Sequence, residues 1–235
     1  MPVDYPTNRV LAALAHVDQR GWSPHLERVA LRQGHLLLTP NTPIEFVYFP
    51  EDALVGLMYA SGSGAAVPLA LVGHDGVVGV APLLGAPAEH LRAEVLHPGN
   101  AWRLSTEALN PGHALDVAQL RVLLRYLQAL DAQIAQTALC QLQHPLHQRL
   151  GRWLQDAFDR VPDGELRMEP ARLASWLGAE PGAVALATAQ WVAEGALAQH
   201  GGRITLLDRR LLDRRSCGCH HLVKQQTDLL FPTLS

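Results

Sequence analysis

The feature that most restricts how this chain can fold is the stretch after Pro111 and Gly112, in which neither proline nor glycine recurs until Pro145. Within it Leu120, Leu123, Leu127, Leu130 and Ile134 fall at alternating spacings of three and four, the heptad pattern of a helix with a seam. At about 1.5 Å per residue, a helix from His113 to His144 runs roughly 48 Å, longer than a small domain needs to cross itself. Such a rod joins things. Spacing alone leaves two readings open: a helix buried in a single core, or a dimer seam. Asp116, Asp131, Thr137 and Gln141 interrupt the apolar line towards its ends, so any coiled contact is short.

What flanks the rod differs on its two sides. Upstream, Asn8 to Ala15 and Trp22 to Arg28 read as short helices, with Asn8 and Ser23 as caps and Pro24 at a first helical position. Short apolar or alternating runs follow at His35 to Thr39, Glu45 to Phe49, Leu54 to Tyr59, Val67 to Val72, His90 to Leu96 and Ala101 to Leu104. Turn residues separate them at Thr39 to Pro43, Ser61 to Gly64 and His97 to Asn100. Many short strands at this spacing imply a jelly roll or β-roll. Downstream, Leu146 to Phe158 is amphipathic, with Leu150, Trp153, Leu154 and Phe158 on one face. Ala171 to Leu177 and Ala183 to Glu194 then read as a helix-turn-helix around Gly178, with Leu173, Ala174, Leu177, Val184 and Trp191 as its shared core. Ala196 to Ala198 and Arg203 to Leu206 about Gly201-Gly202 form an expected two-stranded wing. The fold class is therefore α+β: a β-roll domain with N-terminal helices (1–112), a dimerisation helix (113–144), and a winged helix-turn-helix domain with a C-terminal tail (145–235).

In this order of parts the chain resembles the Crp/Fnr family of bacterial transcription regulators. The resemblance rests on Gly34 to Pro40 followed by Val47-Tyr48-Phe49-Pro50, on Val72-Gly73-His74-Asp75-Gly76-Val77-Val78-Gly79, and on the succession of elements after it. It implies a cytoplasmic, homodimeric DNA-binding regulator with a small-molecule effector in the roll. It also implies where an effector would sit, and the residues there depart from the pattern for a cyclic nucleotide. Gly79-Val80 stands where the family pairs glycine with glutamate, and Leu91-Arg92-Ala93 stands where it has arginine beside a hydroxyl. Ribose and phosphate groups left unpaired there would cost about 1 to 3 kcal/mol each. Cyclic AMP is accordingly not expected, and Gly79 and Arg92 remain only candidates for an effector pocket. An iron-sulfur cluster wants about four cysteine thiolates, and the first half has none. Haem would need an axial ligand such as His74, although a histidine in a Gly-His-Asp-Gly turn reads more simply as solvent-facing. The cofactor is left unknown.

The second expected helix of the helix-turn-helix is poor in base-reading chemistry. It begins Glu180-Pro181-Gly182-Ala183 and continues through Ala185, Leu186 and Ala187, leaving Thr188 and Gln190 as polar side chains before Glu194. Arg172, His200 and Arg203 are the candidate phosphate contacts, with Arg209, Arg210, Arg214 and Arg215 either a further basic strip or a solvated helix face. The net charge of −3 provides no overall basic footprint. Two function classes stay open: a DNA-binding regulator of unusual chemistry, or a relative that kept the architecture, lost base reading, and acts as a sensor or protein-interaction module. No metal site is assigned. Cys217-Gly218-Cys219-His220-His221 offers two thiolates as a candidate but lacks the separated second ligand pair of a tetrahedral zinc site, and Cys140 is expected to be packed. A Ser-Cys-x-Cys run at this place is also similar to some members of the family. No serine-nucleophile elbow, phosphate loop or scaffolded carboxylate pair suggests an enzyme. No apolar run reaches the roughly 18 residues of a membrane span, and Met1 to Asn8 lacks the pattern of a secretion signal.

Overall fold

In the computed structural model, residues 7–17, 22–60, 66–109 and 115–231 are described. The expected reversal at Ser61 to Gly64, and the start of the long helix at His113, lie outside them. Helix α1 (Arg9–Val17) leads through a single 3-10 turn (Ser23–His25) into strand β1 (Leu26–Leu31). A helix over Trp22 to Arg28 is therefore a correction: Leu26 to Leu31 pairs with a strand over Gly99–Ser105, from Leu26↔Leu104 to Leu31↔Gly99, and that ladder overrides the local helical pattern. Asn8 caps α1 as expected, its Oδ1 accepting from the Leu11 amide at 2.9 Å. The same buried side chain donates to the carbonyls of Pro50 and Gly76, fastening the helix to the roll.

The remaining strands of the roll are β2 (Leu36–Leu38), β3 (Phe46–Pro50), β4 (Leu54–Ala60), β5 (Ala66–Val72), β6 (Leu91–His97) and β7 (Gly99–Ser105). They form two antiparallel sheets, ordered β1-β7-β3 and β2-β6-β4-β5. The chain passes from one sheet to the other at Pro98, so His97 to Asn100 is a crossing and not a hairpin. Between the sheets lie Leu31, Leu38, Tyr48, Val55, Leu57, Val72, Ala93 and Val95, all buried.

Helix α2 (Val117–Gln143) opens with a reciprocal capping box between Asp116 and Gln119 and ends at His144, where Pro145 cannot continue it. Its inner face, with Val122, Leu123 and Tyr126, covers Val47, Phe49 and Leu104 together with α1. The Tyr126 hydroxyl donates to the Val77 carbonyl at 2.6 Å. The expected seam splits between two faces. Leu123 is fully buried, and Leu130 and Ile134 pack on the roll, whereas Leu120 and the half-buried Leu127 lie on the outer side. The outer line is Val117, Leu120, Leu124, Leu127 and Leu142, and Val117 and Leu142 are 67% and 81% exposed.

After the break come α3 (Leu146–Phe158), β8 (Glu165–Arg167), α4 (Pro170–Leu177), α5 (Pro181–Ala193), β9 (Leu197–His200), β10 (Arg203–Leu206), α6 (Arg209–Arg215) and α7 (Cys219–Leu230). The wing has three strands, ordered β8-β10-β9, one more than the sequence implied. Helix α7, which no sequence pattern announced, lies against α2, and its Asp228 pairs with Arg9 at 3.1 Å.

Candidate nucleic-acid interface and its attachment to the roll

Gly178 ends α4 in the left-handed conformation (φ 57°), a turn that a residue with a Cβ adopts only under strain, and α5 starts three residues later at Pro181. Leu173, Ala174, Leu177, Val184 and Trp191 are all at most 2% exposed, so the shared core is the one read from the sequence. Trp191 stacks on His147 with centroids 4.2 Å apart and fixes α5 against α3. The solvent face of α5 carries Gly182, Ala183, Ala185, Leu186, Ala189 and Gln190, with Leu186 71% exposed. Gln190 is the side chain there able to bond a base edge.

Thr188 is not available for that task. It is 2% exposed, and its hydroxyl donates to the Val184 carbonyl one turn back at 2.8 Å. Arg172 also changes role: its guanidinium pairs with Glu94 on β6 and points at the roll, away from any solvent-borne phosphate. His200 and Arg203 face each other across the wing, both exposed, and Arg203 is tied loosely to Glu165 at 3.2 Å. In the basic strip Arg209 pairs with Asp159 and Asp213, and Arg215 with Glu194, whereas Arg210 and Arg214 stand exposed. Wing and strip therefore offer charge that phosphates could use, while α5 offers almost no chemistry for bases.

The effector candidates are similarly revised. Arg92 lies on β6 beside Glu94 and pairs with it at 2.8 Å, whereas Ala93 and Val95, on the opposite face, fill the interior of the roll. Arg92 therefore points out of the roll, where it joins an Arg92-Glu94-Arg172 cluster. Gly79 is buried, but the space above it meets the Phe46 carbonyl oxygen, Ile44 and Leu38 at 3.2 to 3.4 Å, so the chain's own atoms line the position.

The winged domain is bound closely to the β2-β6-β4-β5 sheet of the roll. Leu54, Met58, Leu71 and Leu96 from the roll share one core with Leu150, Trp153, Trp176 and Leu177. Trp176 lies over Gly56, and a Cβ at that position would fall 2.6 Å from two of its ring carbons. Asp75 and Arg160 form a buried bidentate pair at 2.6 and 2.9 Å. Burial alone would raise the Asp75 pKa, but the charge and hydrogen bonds of Arg160 outweigh it and hold the carboxyl below its usual range. His74 is half-buried, and desolvation lowers its pKa. Beside this pair lies a cavity of about 180 Å³ lined by His74, Asp75, Asp156, Asp159, Arg160 and His220. Asp159 there is pushed up by burial, yet the hydrogen bond and charge of His220, with Arg209, bring it down to about 2. Among the described residues, no helix is long and apolar enough to cross a membrane.

No protein-family model and no curated protein matches the sequence. Solved structures do. FixK2 from Bradyrhizobium japonicum superposes with a TM-score of 0.67 at 19% identity, covering 82% of this chain and 98% of that one. TTHA1359, a CRP/FNR-family transcriptional regulator from Thermus thermophilus, gives 0.63 at 21% identity, covering 83% and 98%. CLP, described as a c-di-GMP responsive global regulator in Xanthomonas campestris, gives 0.60 at 17% identity, covering 79% and 95%. With roll, long helix and winged helix-turn-helix in that order, the chain has the fold of the Crp/Fnr transcription regulators.

Proposed function

We propose that this chain is a homodimeric transcription regulator of the Crp/Fnr type that holds DNA chiefly through phosphates. Residues 1–112 serve as the sensing part, 113–144 as the dimer helix and 145–235 as the DNA-binding part. The observation that carries this reading is the winged helix-turn-helix joined directly to a 27-residue helix whose apolar outer line has no partner among the described residues. A two-fold pairing along Val117, Leu120, Leu124, Leu127 and Leu142 would relate the two α5 helices by the symmetry that a palindromic operator requires. Arg203, His200, Arg210 and Arg214 are assigned to the backbone, and Gln190 to a base. An effector other than cyclic AMP, bound where winged domain and roll meet, would shift how the two domains sit and so the separation of the α5 pair.

A second reading draws on the exposed Leu186 and the alanines around it: α5 has become a protein-contacting face, and the chain senses without reading an operator. Fluorescence anisotropy with the protein's own promoter and with random duplex, across a salt series, separates the two. The regulator reading predicts binding to both, tighter on the promoter, with Arg203→Ala reducing the slope of log affinity against log salt by about one. Equal affinity for both duplexes, or none, supports the second reading.

A further inference from the structure

Cys217 and Cys219 are not alone. Cys140 sits in the last turn of α2, and His144 is the residue that caps the same helix one turn on, so the two share a face. Against that face lies the short connection from α6 to α7, with Cys217 and Cys219 on either side of Gly218. Cys140 Sγ and Cys217 Sγ are 3.9 Å apart, and Cys219 Sγ is 3.7 Å from His144 Nδ1. All four donor atoms lie within 4.8 Å of one another. The three thiols are at most 7% exposed and form a cluster of their own, without an apolar residue among them.

This spacing is that of a tetrahedral coordination shell. With zinc-sulfur bonds of about 2.3 Å and a zinc-nitrogen bond of about 2.0 Å, the edges of a tetrahedron come to about 3.8 Å between sulfurs and about 3.5 Å between sulfur and nitrogen. The Cys140–Cys217 and Cys219–His144 edges need a contraction of only about 0.1 to 0.2 Å, and the widest separation among the four donors, 4.8 Å, about 1 Å. The donor set is closed, four protein ligands with three soft thiolates, which suits a structural site for a thiophilic d10 ion and not an open catalytic one. A Cys-x-Cys pair by itself has only two ligands. The fold adds Cys140 and His144, the separated second pair.

We propose that Cys140, His144, Cys217 and Cys219 bind a divalent zinc ion that staples the His144-Pro145 break between α2 and the winged domain to the connection leading into α7. The site stands apart from the DNA-binding reading, since it requires neither an operator nor a dimer. Occupancy ties the His144-Pro145 joint to the α6–α7 connection; loss of the ion loosens that joint, while α3 stays in the core it shares with the roll. The ligands must be deprotonated to bind, so loading releases protons and weakens as pH falls.

The test is elemental analysis of the full chain purified under reducing conditions without added metal or chelator, followed by cobalt replacement. The expected results are one zinc per chain, and for the cobalt form the intense visible d–d bands and thiolate charge-transfer absorption of a tetrahedral sulfur-rich site. Because Cys140 is buried and Cys140→Ser risks misfolding, His144→Ala serves as the second variant. It should keep the circular dichroism of the parent, weaken zinc against a chromophoric chelator by more than the roughly tenfold to hundredfold that loss of an outer-shell partner costs, and alter the cobalt bands. The proposal is overturned if the reduced, folded chain yields no zinc and no tetrahedral cobalt spectrum. It is also overturned if His144→Ala and Cys217→Ser bind zinc as the parent does, or if mass spectrometry finds a Cys140–Cys217 disulfide and the reduced protein takes up no metal.

Discussion

Replacing Gly56 by alanine adds a single methyl group to β4 and tests whether the winged domain is held against the roll as described. The new Cβ would fall 2.6 Å from Cζ2 and Cζ3 of Trp176, and closer still to Cη2. Real Cβ contacts do not reach such distances, and Trp176 is 3% exposed with Met58, Leu71 and Leu177 in the same core and only about 30 Å³ of free space beside it, too little for the ring to step aside. Either α4 moves off the sheet or the core deforms, at about 1 to 3 kcal/mol. For a chain of this length that lowers the thermal midpoint by about 2 to 12 °C. Trp176→Ala by itself should cost about 3 to 5 kcal/mol through the cavity it leaves. In the double variant the methyl has room, and Gly56→Ala becomes neutral or slightly stabilising, because alanine loses less backbone freedom than glycine. Guanidinium unfolding of the four proteins, read by fluorescence and by circular dichroism, gives the coupling. If Gly56→Ala costs the same with and without Trp176, the two are not in contact and the docking of α4 on the roll is wrong.

Other substitutions probe separate contacts. Asp75→Ala leaves buried Arg160 without its bidentate partner and should cost about 3 to 5 kcal/mol in unfolding measurements at neutral pH. Because the folded pKa of Asp75 is depressed, the stabilisation is present above its unfolded value near 3.8 and is lost as pH falls through the folded pKa. The gap between parent and variant should therefore narrow in acid. Asp159, brought down to about 2 in the fold, should likewise lose its contribution between about pH 4 and pH 2, seen as a smaller effect of Asp159→Asn at the acid end. Asn8→Ala removes a helix cap and the donor to two buried carbonyls, and a loss of about 2 kcal/mol in chemical denaturation is expected.

The succession of elements was legible because it rests on local signals. The strands of the roll announced themselves as short apolar runs between turn residues, α2 by its freedom from proline and glycine, and the helix-turn-helix by five apolar positions around Gly178. What the sequence concealed depends on contacts between distant residues. Leu26 to Leu31 has helical neighbours, and only its ladder with β7 makes it a strand. A heptad marks one apolar stripe without saying which of its residues turn to the chain's own roll, so Leu123 and Leu127 looked equivalent until the sheets were in place. Arg172 looked like a phosphate contact because Glu94, which holds it, is 78 positions away, and Arg92, two residues from the same Glu94, gave no sign of which face of the roll the pair takes. Thr188 is a polar residue turned inward, with its hydroxyl satisfied by its own helix, a pattern that one sequence does not distinguish from a polar surface. The pairing of Cys140 with Cys217 spans 77 positions and left no motif.

Association of two copies through the outer line of α2 is the claim on which the functional reading stands, and sedimentation equilibrium tests it most directly. The parent protein should sediment at twice the chain mass at micromolar concentration. Leu124→Glu, which places a charge on the exposed line without touching the roll, should give a folded species at the single-chain mass that binds DNA much more weakly. A parent that remains single at high concentration, or a Leu124→Glu variant that still pairs, would contradict the account.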